Sequence, residues 1–308
     1  EKANLDPSKL AAATGKDGKI LAMPWDSGTM ALYLRSDYLS DAGIDPATLT
    51  TWDAFAQAAE QVKAKLGKTA FDTDLSTGAM FLQLLQQRGT GIFDANGKVV
   101  LDNDKAVAVL TFLQNLQQKG LINNTKGWDA RVSAAKAGKS AFSPNAVWWT
   151  GTLTSEAKEL KGKWRVQPLP TFAEGEAKTS NNGGSNLAVP AQAKNPALAA
   201  DFAAFALLNS DNQNSMMAKE GLFPSYLPAL ASPVYSEPDP YFGGQPAMRV
   251  FADLTSTIPA ISYTGDYAKA SEIVANATVE AILNGKDAKA TLQDAAATIA
   301  KQTNREIG

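Results

Sequence analysis

The feature that most restricts the fold of this chain is a regular alternation of capped amphipathic helical segments with short runs of apolar and β-branched residues. The segment TTWDAFAQAAEQVKAKLG opens on Thr51 as a side-chain cap, sets Trp52, Phe55, Ala59, Val62 and Leu66 on one helical face, and stops at Gly67. LDNDKAVAVLTFLQNLQQKG repeats the pattern from an Asp/Asn cap to Gly120. KNPALAADFAAFALL places Asn195 as cap and Pro196 at the first helical position, where a missing N–H does no harm. YAKASEIVANATVEAILNG, ending at Gly285, and DAKATLQDAAATIAKQTN predict two more helices. Between these segments KILAMPW, ALYLRS, WRVQPLP and NLAVPA read as short strands, so the class is α/β. No segment repeats at a fixed period. The polar stretch FAEGEAKTSNNGGS reads as a loop between two strand-like runs.

Composition narrows the function. A chain of 308 residues that is 44% hydrophobic can bury ample core and by length should form about two domains. With 29 Lys+Arg against 31 Asp+Glu and no run of like charge, nothing points to nucleic acid as a partner. The absence of cysteine excludes disulfides, thiolate zinc sites and a cysteine nucleophile, and suits an oxidising compartment. The absence of histidine excludes Ser-His-Asp chemistry, histidine-ligated metals and imidazole acid–base catalysis. No metal or cofactor is expected, and an enzyme of this composition would have to work with carboxylates. No apolar stretch reaches the length of a membrane span, and the opening EKANLDPSKL has no signal-like segment, so an export signal is expected to have been removed already.

Two of the six tryptophans are adjacent, in SPNAVWWTGT at 143–152. If the pair lies on a strand, Trp148 and Trp149 face opposite ways, and a core claims only one of them. The other ring then belongs to a surface that favours a flat apolar face.

The segment GKDGKILAMPWDSGTMALYLRSDYLSDAGIDPATLTTWDAFAQAAEQV is followed in order by RGTGIFDANGKVVLDND, AAKAGKSAFSPNAVWW, WRVQPLP, GGSNLAVPAQAKNP and AILNGKDAKATLQDA. This succession resembles the extracellular solute-binding proteins of bacterial ABC importers, in their maltose-binding-protein-like, carbohydrate-binding group. The resemblance implies a periplasmic-binding-protein-like fold of type II, with two α/β lobes joined by crossing strands and closing about a hinge. It places residues 1–25 and 184–254 in the first lobe and 26–183 and 255–308 in the second, with crossings near Trp25, Gly184 and Ile258. It also implies a non-catalytic monomer outside the cytoplasm, periplasmic or lipid-anchored, that hands a sugar to the membrane permease subunits of an importer. Family members carry further strand–helix units before the position of LDPSKL, so the first lobe is expected to be incomplete.

A sugar offers C–H patches on its ring faces and hydroxyls at its rim, which calls for an aromatic platform with directional polar groups around it. By family position Trp148 is that platform; Trp149 is either a second one or a ring packed under the neighbouring helix. Trp52 and Trp164 read as core. In PWDSGT, the first crossing, Trp25, Asp26, Ser27 and Gly28 are expected to face the ligand or border the hinge. Asp26 suits two sugar hydroxyls or an Asx-turn. SNNGGSNLAV offers Gly183, Gly184 and Asn186 at the second crossing, where glycine lets backbone approach a ligand, unless it is only a flexible turn. In IPAISYTGDYAKA, at the third, Tyr263, Asp266 and Tyr267 compete for the ligand, with Asp266 alternatively a helix cap. Ser76 borders the cleft by family position. Arg35, Arg88 and Arg131 are not placed there by it, which disfavours a phosphate; a polyol, a glycoside or phosphorylated glycerol stay open as ligands. DANGKV reads as a β-turn, since the other ligands of a calcium loop are missing. The competing function is a carboxylate glycoside-processing enzyme, for which Asp26 with Asp266 is the one available acid pair.

Overall fold

The run MALYLR at 30–35 is buried along its whole length, and the elements around it are arranged to cover both of its faces. The computed structural model describes residues 2–308; Glu1 lies outside the described residues. The strands are β1 (Met23–Pro24), β2 (Met30–Arg35), β3 (Phe71–Thr73), β4 (Ile122–Asn124), β5 (Phe142–Ala146), β6 (Trp164–Gln167) and β7 (Asn186–Leu187). The α-helices are α1 (Pro7–Ala12), α2 (Ser36–Ala42), α3 (Trp52–Leu66), α4 (Ala79–Gln87), α5 (Asp104–Gln118), α6 (Trp128–Lys136), α7 (Trp149–Glu156), α8 (Pro196–Leu207), α9 (Ser210–Glu220), α10 (Ala247–Thr255), α11 (Tyr267–Ile282) and α12 (Ala288–Thr303).

β2 is the centre of an antiparallel sheet in the order β5-β2-β6. Side chains alternate across a strand, so Met30, Leu32 and Leu34 enter one core with Trp52, Phe55 and Val62 of α3 and the apolar stripes of α5, α11 and α12. Ala31 and Tyr33 enter a second core with Trp149 and Leu153 of α7, Trp164 and Val166 of β6, and Phe223, Tyr235, Phe242 and Phe251. The buried Tyr33 hydroxyl donates to the Ala146 carbonyl at 2.9 Å, which ties the centre of the sheet to the start of α7. β3 and β4 form a parallel pair, and β1 and β7 an antiparallel one.

The five helices expected from the sequence form with the expected stops and, for four of them, side-chain caps. The N–H groups of Ala54, Ala106, Leu198 and Ala290 donate to the side chains of Thr51, Asn103, Asn195 and Asp287. Three strands, β3, β4 and β5, escape the sequence reading. β5 even contains Pro144, tolerated because β5 is an edge strand of its sheet. It ends at Ala146, so the tryptophan pair does not lie on a strand. Trp148 precedes the first residue of α7 and Trp149 is that residue; the two rings diverge through the helical rotation and cross at 87°.

Within the stretch 184–254 expected in the first lobe, Phe223, Tyr235, Phe242 and Phe251 share a core with Tyr33 and Trp149 and cover the second face of the β5-β2-β6 sheet. β1 is contacted by β7, α1 and α8, while α9 packs both on α8 and on residues 227–231 of the second core.

Two extended segments pass each other at very short range where these parts meet. Trp25 N–H donates to Ser185 O at 3.0 Å, Asn182 N–H to Gly28 O at 2.8 Å, and Met30 N–H to Ser180 O at 2.9 Å. A β-carbon on Gly28 would overlap the Asn182 carbonyl, and one on Gly184 would overlap the Asp26 carbonyl; Gly184 also sits at φ 76°. These two glycines therefore serve the approach of backbone to backbone, which is the hinge-bordering alternative for Gly28 and differs from the approach to a ligand expected of Gly184. Gly184→Ala should lower stability by about 1–3 kcal/mol in urea unfolding, and an unchanged midpoint would refute the close crossing. Trp149→Ala should cost about 3–5 kcal/mol through the cavity it leaves, and a loss under 1 kcal/mol would place that ring outside the core.

Candidate functional site

The crossing, α6 and α7 together enclose an open cleft of about 670 Å³ whose lining includes Asp26, Trp128, Lys136, Trp148, Glu156 and Glu220. A smaller hollow of about 270 Å³ lies on the other side of Asn182 and Gly183, with Gln83, Gln86, Tyr263 and Tyr267 in its wall. Trp148 stands at the junction. Its Nε1–H donates to Asn182 O at 2.8 Å, and a β-carbon on Gly183 would be 3.6 Å from that nitrogen. Satisfying the indole N–H within the crossing fixes the ring while leaving it half-buried beside the cleft.

Trp149 is 2% exposed and backs this wall from inside. Its ring meets Trp148 edge to face at 6.4 Å and Trp128 at 5.7 Å, and the Arg131 guanidinium lies 5.2 Å over it. Arg131 in turn faces the field of Asp72, which accepts from Asn123 Nδ2 at 2.5 Å and Ser140 Oγ at 2.9 Å. Burial pushes the Asp72 carboxyl up and the Arg131 guanidinium down, and the attraction between them opposes both shifts.

Asp26 lines the cleft with one carboxylate oxygen already engaged: Oδ1 accepts from Ser185 N–H at 2.8 Å. Asp26 is 7% exposed and braces the crossing across the chain, which is neither the expected Asx-turn nor a carboxylate with both oxygens open to hydroxyls. Behind it lies buried Lys9, whose ammonium is pushed down by desolvation and held up by Asp26 and Asp6.

Trp25 and Ser27 take the hinge-bordering alternative, and several other candidate residues lie away from the cleft. Ser27 is 1% exposed, and its hydroxyl donates to Asp6 Oδ2 at 2.6 Å, so it is a buried strut of the crossing. Trp25 is half-buried, with Nε1–H on Met216 Sδ at 3.2 Å, and lines neither hollow. Ser76 is exposed and donates to Asp74, and Asn186 is exposed on β7; neither lines the hollows. Asp266 neither caps α11 with its side chain nor reaches the cleft. Its Oδ2 accepts from Arg305 Nε at 2.9 Å and Nη2 at 2.6 Å, so the proposed acid pair with Asp26 is not assembled. Gly183 lines the smaller hollow, as do Tyr263 and Tyr267, whose rings are 4.6 Å apart. Arg35 pairs with Asp37 and Arg88 with Glu176, away from the cleft.

Sequence reasoning missed Trp128, Lys136, Glu156 and Glu220. Trp128 opens α6 behind Gly127 and stands 50% exposed against the cleft. Its helix carries almost no amphipathic signal, and only the Gly-Trp-Asp start marked it. With Asp26, Asp129, Glu156 and Glu220 in the lining against Lys136 alone, the cleft offers hydrogen-bond acceptors and indole faces and is hostile to anions.

Residues 1–242 match the family described as bacterial extracellular solute-binding protein. The chain is 28% identical over 267 residues to the arabinooligosaccharide-binding protein of Bacillus subtilis, covering 84% of this chain and 62% of that protein. It is 29% identical over 279 residues to the lactose-binding protein of Rhizobium radiobacter, covering 87% of this chain and 64% of that one. The chain thus spans under two thirds of the length of these relatives. The fold is similar to a solved extracellular solute-binding protein of family 1, with TM-score 0.81 and 24% identity over 97% of this chain and 77% of the other. It is also similar to the ABC-transporter-associated binding protein of B. animalis subsp. lactis in complex with β-1,6-galactobiose, with TM-score 0.80 and 23% identity over 98% of this chain and 78% of that one. The chain belongs to the bacterial extracellular solute-binding protein family.

Proposed function

We propose that this chain binds a neutral carbohydrate in the cleft beside Trp148, without transforming it, and presents it outside the cytoplasmic membrane to the permease subunits of an ABC importer. The observation that carries this is the fixed indole of Trp148 beside a cleft rich in carboxylates and free of arginine. Burial of C–H faces on the ring and acceptance of hydroxyl hydrogens by acids such as Asp26 are the two demands a sugar makes. Relatives named for arabinooligosaccharide, lactose and maltooligosaccharide binding support the same ligand class. The enzyme reading loses its support with Asp266 held by Arg305.

Residues 2–25 and 186–221 are read as first-lobe structure, hinged to the rest at the crossing. The exposed apolar side chains of α8, Phe202 at 61% and Phe205 at 72%, fit a lobe whose core is only partly built by this chain. A sugar that contacts both lobes binds the closed arrangement better and shifts the population toward it.

Calorimetric titration with arabinotriose, lactose and maltotriose tests the reading. At least one should bind without turnover and raise the melting temperature, and Trp148→Ala should weaken that binding by about 1–3 kcal/mol with little change in the urea midpoint. Absence of binding by all three, or hydrolysis abolished by Asp26→Asn, would contradict it.

A further inference from the structure

The open space does not end at Trp148. On the far side of α7 lies a second hollow of about 490 Å³, between α7 and α9, which shares Trp148, Gly151 and Glu220 with the cleft. The chemistry of the wall changes there. Met217, Val234, Tyr235 and Met248 line it. The two methionines are only partly buried against the second core, and Val234 is left 45% exposed. The hydroxyls in this wall are already used: Thr150 pairs with Tyr33 at 2.9 Å, Thr154 donates to Gly151 O at 3.0 Å, and Tyr235 donates to Asn214 Oδ1 at 2.7 Å. Asp239 accepts from Tyr241 N–H at 2.8 Å, and Lys219 and Glu220 are exposed at the end of α9. A hollow walled by thioether and aliphatic groups, with its hydroxyls spent inside the protein, offers little to a sugar and suits an apolar occupant.

We propose that this hollow receives the apolar aglycone of a glycoside, so that the ligand class of the protein includes sugars carrying an aryl or alkyl group at the anomeric carbon; this rests on the carbohydrate reading above. The two spaces are continuous, which lets one molecule occupy both. The sugar lies beside Trp148, and the aglycone, joined to it through a single glycosidic oxygen, passes the rim that the cleft and the hollow share. The passage is open at Gly151, where a β-carbon would meet nothing within 4 Å. Beyond it, Met217 and Met248 adapt to the shape of the group they cover, since an unbranched thioether side chain repacks at low cost. The hollow therefore selects for apolar character more than for one particular outline.

The test takes whichever of lactose, maltotriose and arabinotriose binds and compares its methyl and phenyl glycosides, in both anomers, by calorimetry on the wild-type chain, Val234→Asp and Met217→Gln. On the wild type the phenyl glycoside of one anomer should bind about tenfold more tightly than the methyl glycoside, the worth of burying part of a phenyl ring. Val234→Asp and Met217→Gln place polar groups in the apolar wall and should cut that ratio to about threefold or less. Val234 is exposed, so Val234→Asp is the decisive variant if Met217→Gln does not fold. A wild-type ratio near one for both anomers, or a ratio that Val234→Asp leaves at its wild-type value, overturns this proposal alone when the free sugar still binds and still depends on Trp148. Failure of all three free sugars to bind, or binding indifferent to Trp148→Ala, overturns the carbohydrate reading and this proposal with it.

Discussion

Everything at the site depends on the contact between two stretches of backbone, 25–30 and 180–185. They approach so closely that neither Gly28 nor Gly184 has room for a β-carbon, and the peptide groups of one run are hydrogen-bonded to the other. Around this contact polar side chains brace the backbone: Ser27 donates to Asp6, and the Gly28 and Ser185 N–H groups donate to Asn181 and Asp26. The consequence is a fixed point from which side chains leave in defined directions. Asp26 emerges into the cleft on one side, and Asn182 presents its carbonyl to the indole of Trp148 on the other.

The second determinant is a division of labour among aromatic rings. β2 buries both faces, and the core on its Tyr33 side extends through Trp149 up to the cleft wall. Trp149 has Arg131 on one side and two indoles on the others, so the partly exposed rings of Trp128 and Trp148 rest on a rigid base. Preorganised aromatic surface lowers the entropy lost when a ligand is ordered against it.

Much of this was legible in the sequence, for reasons particular to each element. α3, α5, α8, α11 and α12 announce themselves through capping residues and stops, and their boundaries fall within a few residues of expectation. The fold class and family follow from the succession of motifs. Of the two places that the sequence left open for Trp149, the structure gives it the packed one, while Trp148 lines the cleft; the rings separate by helical rotation and not by strand alternation. The remaining site residues were harder to place because tertiary direction decides them. Ser27, Trp25 and Asp266 sit at the right points in the chain but spend their polar groups on Asp6, Met216 and Arg305. Trp128 was invisible because an exposed aromatic and a buried one look alike in a helix without a clear apolar stripe. The place of 223–254 against the β5-β2-β6 sheet was not legible, because irregular, proline-rich segments carry no periodicity to show which sheet face they cover.

The central claim is that this cleft holds a sugar against Trp148, with Trp149 as its buried support. Its most direct test is fluorine NMR of the chain labelled with 5-fluorotryptophan, with each resonance assigned by single substitution and followed through a titration with the sugar that binds. The account predicts that the Trp148 resonance shifts most, that Trp128 follows, and that Trp52 and Trp164 stay in place. Shifts concentrated on Trp52 or Trp164 with Trp148 unmoved would contradict it.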